Sequence, residues 1–234
     1  MLIRLVAIGL VIAGVLAATV PAEGSQYGDQ SACNAGDKAS DPLRKIDFYS
    51  RCLRFAPLDG ETASVIFIKR GVAYTQIGDL DKALQDFTSA IKFDPEEPAS
   101  YSDRAAIERT KGRYAETIAD LEQAHHFRPS DSDMANRLAW ELATSPDPSS
   151  RDGKKAMAVA REALKLRDDS QVHDTLAAAY AETGQFEEAR REEQKSIDLY
   201  KGPESVANLQ ARLELYRKGE AFHMPPVARS ASTN

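Results

Sequence analysis

A 34-residue period constrains this 234-residue chain more than any other feature. Residues 64–95 and 98–129 align at that offset: Gly71 with Ala105, Gly78 with Gly112, Phe87 with Leu121, Ala90 with Ala124 and Pro95 with Pro129. A period of this length marks stacked supersecondary units, each too small to bury its own apolar stripe and each covered by its neighbours. Within a unit the pattern reads helix, short turn, helix. Ala83, Phe87 and Ala90 fall on one face of the second helix at 3.6-residue spacing. Gly78 and Gly112 fall at the turn, where a left-handed backbone is open to glycine without a Cβ penalty. Pro95 and Pro129 end the second helix, because proline cannot extend the hydrogen-bonded ladder. Gly71 sits mid-helix, where glycine costs about 1 kcal/mol against alanine, which points to close approach of two helices there.

This pattern resembles the tetratricopeptide repeat family. Gly71, Tyr74, Gly78, Ala83, Phe87, Ala90 and Pro95 stand where that family favours a small residue, Tyr, Gly, Ala, a large apolar residue, Ala and Pro. The next unit carries Ala105, Gly112, Leu121, Ala124 and Pro129, and departs with Glu108 for the Tyr and Thr117 for the Ala. A third begins near Ser132 with Leu138, Ala139 and Leu142. It is interrupted by the turn-rich stretch 145–153 and resumes at Ala156, Ala160 and Ala163. That insertion is either a partner contact or a tolerated drift. The fourth, Gln171 to Tyr200, supplies Ala177, Tyr180, Gly184, Ala189 and Ser196. The last units also resemble a recurrent bacterial form of the array. Upstream, 41–57 matches a second helix, with Cys52 in the place of Ala90 and Cys33 on a short irregular helix before it. Downstream, Leu209, Leu213 and Tyr216 make the apolar stripe of a closing helix that Gly219 ends. The expected fold is all-α: a right-handed superhelical solenoid of antiparallel helix pairs, with four to five repeats and a C-terminal capping helix. The expected divisions are 1–22 as a signal peptide, 23–63 as the irregular hairpin, 64–203 as the array, 204–219 as the cap and 220–234 as a disordered tail.

The leader supplies an expectation about location. Met1–Arg4 carries one positive charge, Leu5–Thr19 is apolar or small, and Val20-Pro21-Ala22 resembles a cleavage site. The expected product is a periplasmic or secreted protein with no stable membrane insertion after cleavage, the alternative being an uncleaved anchor. Export would permit a Cys33–Cys52 disulfide, worth roughly 3 kcal/mol by loop closure. Two buried thiols are the alternative, and no third Cys or His accompanies them to suggest a metal.

Chemistry beyond binding finds little support. The net charge of -6 lacks the clustered positive field that nucleic acid requires. His125 and His126 are adjacent and point apart, His173 with Asp174 reads as a surface pair, and His223 lies in the tail. There is no nucleophile elbow and no phosphate loop, so no catalytic, cofactor or metal residues are assigned. The family resemblance implies instead a groove lined by first helices. Carried over, its residues include Ile68, Val72 and Gln76, then Ser102 and Arg109, then Asn136 and Trp140, then Asp174 and Glu182. Trp140, the single tryptophan, is either an anchor in the groove or part of the core. The expected function is a non-catalytic interaction module or scaffold of the bacterial envelope, binding a peptide or partner protein on the concave surface. The alternatives are an accessory subunit of an envelope or secretion complex, or a structural spacer.

Overall fold

Caps and turns divide the chain before any packing is considered. Asp41, Asp59, Asp79, Asp131, Asp152 and Asp169 each accept a hydrogen bond from a backbone N–H of the next helix, and Pro42 and Pro98 occupy first-turn positions whose N–H would have no partner. The computed structural model describes residues 30–202 and 206–227. It contains five antiparallel helix pairs and a closing helix. The pairs are α1 (Gln30–Lys38) with α2 (Pro42–Phe55), α3 (Gly60–Gln76) with α4 (Leu80–Phe93), α5 (Pro98–Thr110) with α6 (Tyr114–Phe127), α7 (Ser132–Thr144) with α8 (Gly153–Leu166), and α9 (Ser170–Glu182) with α10 (Phe186–Leu199). The closing helix is α11 (Ala207–Arg217). The expected all-α solenoid of helix pairs with a cap is therefore the fold.

Small residues set the spacing of the helices. Ala83, Ala90, Ala105, Ala124, Ala139, Ala160, Ala163 and Ala177 have no exposed surface. A Cβ added to Gly71 would lie 2.8 Å from the Phe87 ring, so the α3–α4 crossing requires glycine there. Gly78, Gly112 and Gly184 adopt φ of 80°, 73° and 77°. Each closes its helix with paired backbone hydrogen bonds, as when Asp79 N–H bonds the Tyr74 carbonyl and Gly78 N–H bonds that of Thr75.

Polar locks recur with the same period. Arg70 donates two hydrogen bonds to Asp86, at 2.8 and 2.7 Å, and Arg104 repeats this with Asp120 at 2.7 and 2.7 Å. Each arginine also reaches the second helix of the preceding unit, through Ser50 and Thr88. Removing one partner of such a buried pair leaves an uncompensated charge.

The interrupted unit is not a slack loop. Residues 148–150 form a 3₁₀ turn capped by Asp147, and Arg151 ties it to the Ser145 carbonyl and to Glu182 of α9. At the other end the first pair is stapled, since Cys33 and Cys52 form a disulfide. The tail departs from expectation. Residues 220–227 are ordered and lie against the array, because Met224 and Phe222 find apolar cover there; residues 228–234 lie outside the described residues. So do 1–22, on which the signal-peptide reading rests. Among the described residues no helix is long and apolar enough to cross a membrane.

The staple should matter most to the pair it closes. A Cys33→Ser/Cys52→Ser variant is expected to lose about 3 kcal/mol from the first pair. Hydrogen exchange should then show early opening of α1 and α2, with α5 to α10 protected as in the parent chain.

Candidate partner-binding groove

Helices α5 and α7 are joined by polar side chains, Arg109 with Glu141 and Arg137 with Ser102, and α9 packs against α7. Between α5, α6 and α7 lies a hollow of about 360 Å3, walled by Ala105, Leu121, Arg109, Arg137, Trp140 and Glu141. Glu141 is buried and paired with Arg109. Burial pushes its carboxyl above the ordinary range, and the Arg109 and Arg137 charges oppose that rise. Arg137 is itself fixed, donating to the Ser102 hydroxyl at 2.5 Å and to the Ser102 carbonyl at 3.2 Å.

Trp140 is half-buried. Its inner side packs on the core cluster that includes Leu138, Ala139 and Leu142. Its outer side meets the tail: the indole N–H donates to the Met224 sulfur at 3.3 Å, and the Phe222 ring sits 5.9 Å from the indole. The ring thus has one side on the core and one side against the tail.

A second charged cluster supports this surface from behind. Arg212 of α11 donates to both oxygens of Asp174 at 2.7 and 2.8 Å. Its guanidinium lies 5.5 Å from the Trp140 ring and 5.4 Å from the Phe222 ring. Glu193 of α10 has no exposed surface and stands 3.7 Å from Arg212 Nε. Burial and the adjoining Asp174 carboxylate push its pKa up to about 9, against the pull of Arg212. Asp174 is raised as well, chiefly by burial. The Tyr216 hydroxyl, from α11, is buried beside them and its pKa rises for the same reason.

Of the expected groove residues, Arg109, Trp140 and Glu182 come together around the tail. Ser102 is buried and orients Arg137. Asn136 Oδ1 is enclosed with no donor among the described residues. Asp174 holds the closing helix. Ile68 packs toward Ala83, Phe87 and Ile107, while Val72 and Gln76 are exposed on α3. Residue spacing missed Arg137, Glu141, Arg212, Phe222 and Met224. The available signal was Met224-Pro225-Pro226, in which a proline holds the apolar residue before it extended. His173 is not a surface pair with Asp174. Its ring is buried, with Glu192 at 2.6 Å on Nδ1 and Asp168 at 2.8 Å on Nε2. Among the described residues no cluster of His, Cys, Asp and Glu is arranged to hold a metal.

Two tetratricopeptide repeat models match the chain, at residues 66–97 and 174–201. Relatives by sequence include small glutamine-rich tetratricopeptide repeat-containing protein 2 of Mycosarcoma maydis, 26% identical over 62% of this chain and 35% of that protein. Serine/threonine-protein phosphatase 5 of Rattus norvegicus is 29% identical over 64% of this chain and 31% of that protein. The chain thus spans about a third of the length of these relatives. Among solved structures, one of MamA has a TM-score of 0.61 at 17% identity, covering 83% of this chain and 97% of that one. Residues 41 to the end of MamA from Desulfovibrio magneticus RS-1 give 0.61 at 16% identity, covering 75% and 96%. At 16–17% identity the likeness to these solved structures is one of fold. One expectation is corrected. The solved neighbours are structures of MamA and lend no support to export, so the reading of this chain as a periplasmic or secreted repeat protein of the envelope is withdrawn.

The buried carboxyl of Glu193 has a consequence for stability. Its pKa is raised from 4.5 to about 9 in the folded chain, so its contribution is complete below 4.5 and is lost as pH rises toward 9. Asp174, Arg212 and Tyr216 face it from α9 and α11. Denaturant midpoints of the parent chain are expected to fall from pH 5 to pH 9, and Glu193→Gln should flatten that fall.

Proposed function

We propose that this chain is a scaffold that holds one partner protein through an extended segment laid across α5, α7 and α9. The observation that carries this is the outer face of Trp140. It is a large, rigid aromatic with an N–H donor, set beside an open hollow and ringed by Arg109, Arg137 and Glu141. A half-buried tryptophan whose rotamer is fixed by core packing makes a good anchor, because little conformational entropy is lost on binding. The surrounding groups can donate to, and accept from, a peptide backbone. Extended-peptide recognition in a groove uses this combination of main-chain hydrogen bonds and one or two side-chain seats.

Display of random peptides against the full-length chain tests the reading. Enriched peptides are expected to bind with an affinity that falls about thirtyfold in Trp140→Ala, the loss of a strong anchor. Arg109→Lys, which keeps a positive charge beside the buried Glu141 carboxylate but loses the guanidinium fork, should weaken the same peptides with a smaller loss of melting temperature than Arg109→Ala. No enrichment, or peptides indifferent to both changes, would leave the chain a spacer without a groove ligand.

A further inference from the structure

The segment after α11 is bound as a ligand would be. Gly219 adopts φ of 74°, its N–H bonds the Tyr216 carbonyl, and Glu220 N–H bonds that of Leu215. After Gly78, Gly112 and Gly184 this same turn leads into a second helix. Here it cannot. Pro225 and Pro226 have no N–H to give to a helix, and a residue before proline is held extended. The chain therefore crosses the array as a strand-like peptide. Met224 N–H donates to the Thr144 carbonyl at 2.8 Å, using a last-turn oxygen that α7 leaves without a helical partner. Val227 N–H donates to the Tyr114 hydroxyl at 3.0 Å, and His223 Nε2 meets Glu182 at 2.7 Å.

Two side chains fill the seats. Phe222 is flanked by the Trp140 ring and the Arg212 guanidinium. Met224 is 8% exposed, and its sulfur accepts from Trp140 Nε1 and from Arg109 Nη2. Two donors converging on one soft acceptor suit a thioether in an otherwise apolar seat. A lysine there would face Arg109, and an alanine would leave both donors unsatisfied. The hollow of about 360 Å3 shares Arg109 and Trp140 with the Met224 seat, so the groove extends beyond what the tail covers.

We infer that the groove selects an extended peptide bearing an aromatic residue, any residue, then methionine, and that Phe222-His223-Met224 of this chain is its resident occupant, displaced by a partner segment of the same chemistry. The inference rests on the groove reading above. Tethering explains how so few contacts suffice: a short linker holds its segment at an effective concentration on the order of millimolar. A partner that supplies the same pattern, and also enters the open hollow, gains contacts the tail does not make.

Trp140 is the only tryptophan, so its emission reports the seat directly. The test uses the full-length chain, a full-length Phe222→Ala/Met224→Ala variant and a synthetic peptide of residues 219–227. Emission should shift to longer wavelength in the variant and return when the peptide is added. The peptide should bind the variant at least tenfold more tightly than the parent, and a peptide with Ala at both positions should not bind. Should the variant melt early, the parent chain still decides the matter: the Met224 methyl NMR signal, shifted by the Trp140 ring, should move toward its free-peptide position as excess peptide is added. Unchanged emission, equal binding to both chains, or a Met224 signal indifferent to peptide overturns the inference. Display that yields Trp140-dependent peptides without the aromatic–any–methionine pattern overturns it too, and leaves the groove reading standing.

Discussion

Close approach between helices, made possible by residues with little or no side chain, is the condition on which everything else in this array rests. The interfaces are built on alanines with no exposed surface, from Ala83 and Ala90 through Ala124 and Ala163 to Ala177 and Ala189. A short side chain brings two backbones near enough for one larger neighbour to fill the rest of the space. At the α3–α4 crossing even alanine is too large, and Phe87 occupies the volume that Gly71 vacates. Interiors packed to this density transmit small displacements instead of absorbing them. The row formed by α5, α7 and α9 is consequently a stiff platform, and the orientation of Trp140 is inherited from it.

Charge is used to join units where apolar area is short. Arg70–Asp86 and Arg104–Asp120 each link the helices of one hairpin and reach the hairpin before. Among the described residues no further repeat covers the last hairpin. There, α11 brings Arg212 to Asp174 and places Tyr216 among Ala177, Ala181 and Ala189. Arg212 satisfies one carboxylate fully and leaves Glu193 to be stabilised as the neutral acid, which is the cheaper form for a buried group beside Asp174. The same guanidinium stacks over Trp140 and Phe222. One residue therefore connects the closing of the solenoid to the shape of its groove.

Local sterics account for the features that were legible in the sequence. Gly78, Gly112 and Gly184 announce left-handed turns, Pro95 and Pro129 announce helix ends, and the Ala83, Phe87, Ala90 face announces the stacking partner. All of these are demands of the backbone within a few residues, so spacing suffices to see them. The Cys33–Cys52 disulfide was one of two alternatives left open by the cysteine count, and the structure forms it between the helices of the first pair. Groove membership was legible only in part, because the repeat positions tell which way a side chain points and not what it meets. Asp174 points inward from its helix but is claimed by Arg212, 38 residues away. His173 faces Glu192 and Asp168, and Ser102 is consumed in orienting Arg137. The leader was read from composition alone, and residues 1–22 lie outside the described residues.

The tail was the hardest feature to see for a reason that also explains its position. Aperiodic residues after the last helix look unstructured when judged by the period that organises the rest. Yet the turn at Gly219 belongs to the repeat pattern, with the same left-handed glycine and the same paired hydrogen bonds found between first and second helices. A repeat would continue there into a helix packed on α11. Pro225 and Pro226 forbid it, and an extended backbone leaves N–H and C=O groups that need partners beyond the segment itself. The last turn of α7 has a free carbonyl at Thr144, and the Trp140 and Arg109 donors face the same space. The tail lies where it does because a chain already reversed by a repeat turn, and barred from becoming the next helix, meets in the groove the groups its extended backbone and its one thioether can use.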